Sequence, residues 1–164
     1  MGATQLPKHF VLDHNFPIHA TGLSWPSSLR VSNLASIDSS LVKNKEDWEV
    51  LLALSRRGDV DGFITNDSAM LRLATEMVAL TRTTLTLVVV EGAGHNPVRA
   101  LGLVMAHLET IAGRLSQSSQ IIRLKPIQWK PESPHGLVAN IARQTGSPMG
   151  DILNAELSRM GLSR

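Results

Sequence analysis

Lys8-His9-Phe10-Val11-Leu12-Asp13-His14-Asn15-Phe16-Pro17 is a short apolar run of strand type that stops on a carboxylate, a polar turn and a proline. In open α/β folds, ligands sit just beyond the carboxyl ends of the strands. Asp13 therefore stands where a metal ion or a phosphate would be met. An aspartate that merely ends a strand in an Asx turn would look the same in isolation. A second stretch, Asp61-Gly62-Phe63-Ile64-Thr65-Asn66-Asp67-Ser68, repeats the design: apolar, then Thr-Asn-Asp.

Outward from these two stretches, strand-like and helix-like patterns alternate. Leu29 to Ile37 alternates and predicts a second strand. His19 to Ser28, with Gly22 and Pro26, leaves room only for a short helix. A helix starts near Lys45, with Trp48, Leu51, Leu52 and Ser55 on one face and Gly58 as its stop. Asn44 is its expected N-cap, and Glu46, Asp47 and Glu49 suit the dipole of the first turn. Met70, Leu71, Ala74, Met77 and Val78 predict a second amphipathic helix capped by Ser68. Leu85 to Val90 is nearly continuous in apolar character, as a strand covered on both faces must be. After the turn Glu91 to Pro97 comes the longest helix, with Val98, Leu101, Met105, Leu108, Ala112 and Leu115 on one face. Ile121 to Leu124 predicts a fifth, short strand.

This order predicts an α/β fold: a doubly wound, mainly parallel sheet of four to five strands with helices on both faces. Residues 1–125 form that domain. Residues 126–164, punctuated by Pro126, Pro131, Pro134 and Pro148, form an extension docked on it or on a partner, with one terminal helix from Met149 to Met160. A chain of 164 residues holds one proper core and not two.

The bulk composition excludes more than it assigns. With no cysteine there is no disulfide framework, thiolate zinc site or cysteine nucleophile. Met1 to Pro7 lacks the basic and then apolar regions of a signal peptide, and no apolar string is long enough for a membrane span. A cytoplasmic protein without membrane contact is expected. The net charge is only +2. Residues 1–94 carry eight Lys/Arg against ten Asp/Glu, and residues 95–164 eight against four. That asymmetry is weak and solvated surface accounts for it.

In a parallel sheet Asp13 and Asp67 both lie at carboxyl ends of strands, and neighbouring strands are about 5 Å apart. Two such carboxylates converge on one ion, and Glu46 or Asp47 at a helix start supplies a third. Mg²⁺ and Mn²⁺ are hard ions that favour carboxylate oxygens. A metal so held activates water for phosphodiester hydrolysis and steadies the leaving oxygen. Asn15 and Thr65 fit as neutral groups orienting water, carboxylates or phosphate. His14 and His19 are candidates for a phosphate contact.

Val11-Leu12-Asp13-His14-Asn15-Phe16-Pro17 resembles the Leu-Leu-Asp-Glu-Asn-Leu-Pro opening of PIN-like proteins. Lys45-Glu46-Asp47-Trp48-Glu49-Val50-Leu51 is similar to their acidic helix start, and Gly62-Phe63-Ile64-Thr65-Asn66-Asp67 to their Val-Leu-Val-Thr-x-Asp strand. Order and spacing agree from residue 9 to about 71, with a compatible helix and strand to about 124; the tail lies outside. The resemblance implies a Mg²⁺- or Mn²⁺-dependent ribonuclease, of the kind found as toxins in bacterial toxin–antitoxin pairs. RNA, an antitoxin protein and a second copy of the chain are then the expected partners. Carried over by position, Asp13, Asp47 and Asp67 are the catalytic acids, and Asp13, Glu46, Asp47 and Asp67 the metal ligands. Asn15, Thr65, Ser68 and His14 become substrate or supporting contacts.

Two positions depart from that pattern. His14 replaces the family's Glu, and Ala69 stands where many relatives carry a further acid, leaving Asp38 or Glu91 to compensate. A site reduced in this way also suits a protein that only binds. Gly92-Ala93-Gly94 after a strand offers a Rossmann-like nucleotide-binding alternative, although the third glycine of a dinucleotide loop and a Gly-Lys-Ser/Thr sequence are both missing. Gly-x-Ser-x-Gly is absent as well. Trp25 and Trp129 are candidate stacking platforms for bases. Trp48 and the Met70/Met77 pair read as packing.

Overall fold

The computed structural model describes residues 6–43, 45–126 and 131–162. Six strands, β1 (Lys8–Leu12), β2 (Leu29–Asn33), β3 (Gly62–Thr65), β4 (Thr86–Val90), β5 (Gln120–Leu124) and β6 (Pro131–Glu132), form one sheet in the order 2-1-3-4-5-6. The first five pair in parallel, and β6 runs antiparallel to β5. The α-helices are α1 (Leu34–Ile37), α2 (Asp47–Arg57), α3 (Ala74–Leu80), α4 (Pro97–Ala112), α5 (Pro134–Thr145) and α6 (Met149–Arg159). Three 3₁₀ segments, Ile18–Gly22, Ser39–Leu41 and Ser68–Arg72, join them.

Alternate residues of each strand feed opposite cores. Val11, Phe63, Leu87, Val89 and Ile121 pack under α2, α3, α5 and α6 through Leu51, Leu54, Met77, Val78, Leu137 and Leu157. Phe10, Leu12, Ile64, Val88, Val90 and Ile122 pack under α4 through Leu101, Val104 and Leu108. Every residue of β4 is buried, which explains its nearly continuous apolar sequence. The mainly parallel sheet with helices on both faces is thus present, with six strands instead of four or five. The extra strand is a two-residue edge carrying Pro131, which has no N–H to offer a further neighbour.

Three other expectations need correction. The strand predicted over 29–37 stops at Asn33, because its partner β1 ends at Leu12, opposite Asn33. The chain then turns into α1 and buries Leu34. The helix predicted from Met70 to Val78 is broken in two at Leu73, whose backbone is extended (φ −94°, ψ 120°). Asp67, not Ser68, caps the first piece by accepting from the Ala69 N–H at 2.8 Å. Residues after Pro131 hold two helices and not one. Pro134 sits in the first turn of α5, where a proline costs no hydrogen bond, and Gly146 ends it at φ 70°.

The tail helices cover α3. Leu137, Val138 and Leu157 are buried in the same core as Met77 and Val78. The Thr75 hydroxyl donates to Glu156 at 2.7 Å, and Arg159 donates to the Thr75 Oγ1 at 3.2 Å. Predicted features that hold include α2 with its Gly58 stop (φ 70°) and α4, which Asn96 caps by accepting from the Arg99 N–H at 3.0 Å. The N-cap of α2 is Glu46 and not Asn44, because the helix begins at Asp47 and Glu46 and Glu49 close a capping box; Asn44 and Trp129 themselves lie outside the described residues. Among the described residues, no helix is long and apolar enough to cross a membrane.

Candidate functional site

The sheet order reverses at β1 and β3: the chain leaves β1 toward β2 on one side and returns to β3 on the other. Such a switch point opens a crevice at the carboxyl ends of the two strands. Asp13 and Thr65 lie there, joined across the strands by the Asp13 N–H donating to the Ile64 carbonyl at 2.9 Å.

The Asp13 carboxylate is buried and held from both sides. Its Oδ2 accepts from the Thr65 hydroxyl at 2.9 Å and from the Asn15 amide at 3.2 Å. Its Oδ1 accepts from the His14 N–H at 2.7 Å and lies 2.7 Å from His14 Nδ1. Thr65 also accepts from the Asp67 N–H at 3.0 Å, so one hydroxyl fixes both strand-end loops. Asp67 itself is exposed and stands beside the crevice.

Asp47 stands on another element, as the first residue of α2. It is half-buried, and its carboxyl is pushed above the usual range by burial first, then by the charges of Asp13 and Asp67. Glu46, one residue earlier, is exposed in the cap position. Its N–H is closed off by Glu49, which accepts at 3.0 Å and pairs with Lys45 at 3.1 Å. Three acids from three separate elements therefore share one field. Among the described residues, no group of three or more acids or histidines stands close enough together to hold a metal ion.

One acid was not visible in the sequence pattern. Glu76 lies beside the apolar stripe of α3, on the side a surface helix would give to water. Yet α3 is buried all round, and Glu76 keeps only 4% of its surface exposed, with Oε2 unpartnered. Burial raises its pKa, helped by the charges of Asp47 and Glu46. In the folded state it holds its proton to higher pH than when unfolded, so stability falls as pH rises out of the ordinary carboxylate range toward neutrality. Glu76→Gln is expected to be more stable than wild type at pH 7, because the amide has no charge to bury. The difference should vanish where both states are protonated, near pH 3, in urea titrations across that range.

Beyond Asp67 the crevice opens into a cleft of about 700 Å³ lined by Asn15, Asp67, Ser68, Arg72, Glu91 and His95 among others. Glu91 is paired with Lys125 at 3.1 Å and Arg123 at 3.5 Å. Asp38 is occupied elsewhere, capping Ser39–Leu41 through the Ser40 N–H at 2.8 Å. Gly92 and Gly94, at φ 77° and 60°, shape the turn into α4 and also line the cleft. The start of α4 is already closed by the Asn96 side chain. His19 is exposed on the first 3₁₀ segment. Trp25 is half-buried and donates to the Ala20 carbonyl at 3.1 Å, and Trp48 is half-buried on α2. Met70 and Met77 are in the core. Compared with protein-family models, curated proteins and solved structures, the chain gives no match.

Proposed function

We propose that this chain is a Mg²⁺- or Mn²⁺-dependent ribonuclease of PIN-like type, working in the cytoplasm as the toxin of a toxin–antitoxin pair. The observation that carries the reading is Asp13, held by Thr65 and Asn15 at the β1/β3 switch point with Asp67 beside it, while burial first and then the charges of Asp13 and Asp67 raise the pKa of Asp47. Mutually repelling carboxylates are costly unless a cation joins them. Their oxygens are the donors that hard divalent ions prefer, although among the described residues they do not stand together as a ligand group. A metal held there supplies activation of water and charge neutralisation at the scissile phosphate.

The chain's own groups divide the remaining work. Thr65 and Asn15 orient Asp13, while Asp47 and Asp67 would supply the further carboxylates. Glu46 is the reserve ligand on the exposed side. Ser68 and His14 border the path of the substrate. An antitoxin or a second copy of the chain would act by covering the cleft mouth.

A binding module with a decayed site is the second reading. It is favoured by the four contacts that already occupy Asp13 and by Ala69 at the position of a further acid. Mn²⁺ calorimetry on wild type and Asp67→Asn separates the two. Micromolar binding lost in the variant supports the nuclease. Absent binding, or binding that the substitution leaves untouched, supports the module.

A further inference from the structure

The cleft continues past the carboxylates. Ser68, Arg72 and Glu91 line it and also line a second hollow of about 220 Å³, whose opposite wall is α5. That wall presents Asn140 and Gln144, both exposed, beside Leu137 and Ile141. The two spaces form one groove that runs from Asp67 to the tail.

Charge changes sign along this groove. Its strand end is lined by Asp67 and Glu91, with Arg72 the one lining arginine or lysine among the described residues. At its α5 end the lining carries Arg72 and Arg123 against one carboxylate, Glu91, which lies 3.5 Å from Arg123. Arg72 joins none of the ion pairs among the described residues. Arg143 donates to the Asn140 side-chain oxygen, so the Asn140 amide presents N–H donors, and Gln144 presents a donor and an acceptor. Arginine suits a phosphate, while amides read base edges.

Scale agrees with chemistry. The five-residue 3₁₀ segment Ser68–Arg72 spans about 10 Å at roughly 2 Å per residue. That is about three nucleotides of a stacked strand at roughly 3.4 Å each. A hollow of about 220 Å³ equals the liquid volume of roughly seven waters. It has room for one base and none for a duplex. A base must leave its stack to enter, as single-stranded RNA permits.

We propose that the α5-walled hollow is a substrate subsite for one unstacked nucleotide of single-stranded RNA, within three nucleotides of the scissile phosphate. Arg72 takes its phosphate, and Asn140 and Gln144 take its base edge. The assignment rests on the nuclease reading and gives the tail a task besides covering α3.

The test is anisotropy binding of a labelled single-stranded RNA octamer in Ca²⁺ buffer, run beside Mn²⁺ calorimetry on the same proteins. The double variant Asn140→Ala/Gln144→Ala is expected to bind RNA about tenfold more weakly, from the loss of two hydrogen bonds. Its Mn²⁺ affinity and melting temperature should stay at the wild-type values. Arg72→Gln should weaken binding and lower the log–log salt slope by about 0.7, one phosphate contact. RNA affinity unchanged in both variants, with Mn²⁺ bound by wild type and lost in Asp67→Asn, would overturn the subsite alone. Duplex RNA bound as tightly as the single strand would overturn it too. Wild type that takes up neither Mn²⁺ nor RNA would remove the nuclease reading and the subsite together.

Discussion

Asp13→Asn is expected to lower metal-dependent RNA cleavage by at least about a thousandfold, the scale at which removal of a main transition-state charge partner is felt. The reason lies in how the side chain is held. Donors from Thr65, Asn15 and His14 converge on a carboxylate that has two acceptor oxygens, and an amide keeps only one. The substitution removes a negative charge from the crevice and turns an N–H toward a partner that wants to donate. A stability loss of about 1–2 kcal/mol should accompany it, which urea denaturation would register. Asp67→Asn is the cleaner companion. Asp67 is exposed, its one side-chain bond caps a 3₁₀ segment, and asparagine caps as well as aspartate. It should match the activity loss with stability within about 0.5 kcal/mol of wild type. Cleavage that survives in both variants would end the metal mechanism.

Gly62→Ala should be the most damaging small substitution in the sheet, costing about 3 kcal/mol, the upper end for forcing one extra group into a packed core. A Cβ at Gly62 would lie 2.7 Å from the Phe10 ring and 2.8 Å from the Thr86 carbonyl oxygen. Phe10 is fully buried, and Thr86 belongs to the backbone of the central strand. Neither can retreat cheaply. The only relief is displacement of β3, which carries Thr65 away from Asp13. Mn²⁺ affinity should therefore fall along with the urea midpoint. Phe10→Leu, itself destabilising, should cost less in the Gly62→Ala background than alone, because it frees the space the new methyl group needs. Additive losses would show that the clash is taken up elsewhere.

Much of the fold is legible from local chemistry. The strand runs at Phe10, Phe63, Leu87 and Ile121 are short and apolar, and their ends are marked by Asp13, Thr65 and Glu91. The helices that begin at Asp47 and Pro97 carry their own caps and stops, since Gly58 and Asn96 act within a single turn. The neighbourhood of Asp13, Thr65 and Asp67 follows from parallel pairing once the strands are recognised.

What failed depended on neighbours distant in sequence. The second strand ended early because β1 ended, a fact absent from residues 29–37. The helix after Asp67 broke at Leu73 despite good periodicity. Helix α5 did carry a signal, Pro134 at its start and Gly146 at its end, but its prolines read as punctuation. Glu76 was hidden for a stricter reason: amphipathic periodicity assumes that one face of a helix meets water, and α5 and α6 leave α3 no such face. The sequence by itself determined the apolar runs of β1, β3, β4 and β5 and where Asp13 and Asp67 fall after them, because hydrophobic alternation and capping act within a few residues. Only the tertiary structure decided that Asp47 feels the charges of Asp13 and Asp67, that Glu76 is buried and feels the charge of Asp47, and that the tail walls the hollow beside the cleft. Charge and burial act through space, across separations that no local pattern of residues records.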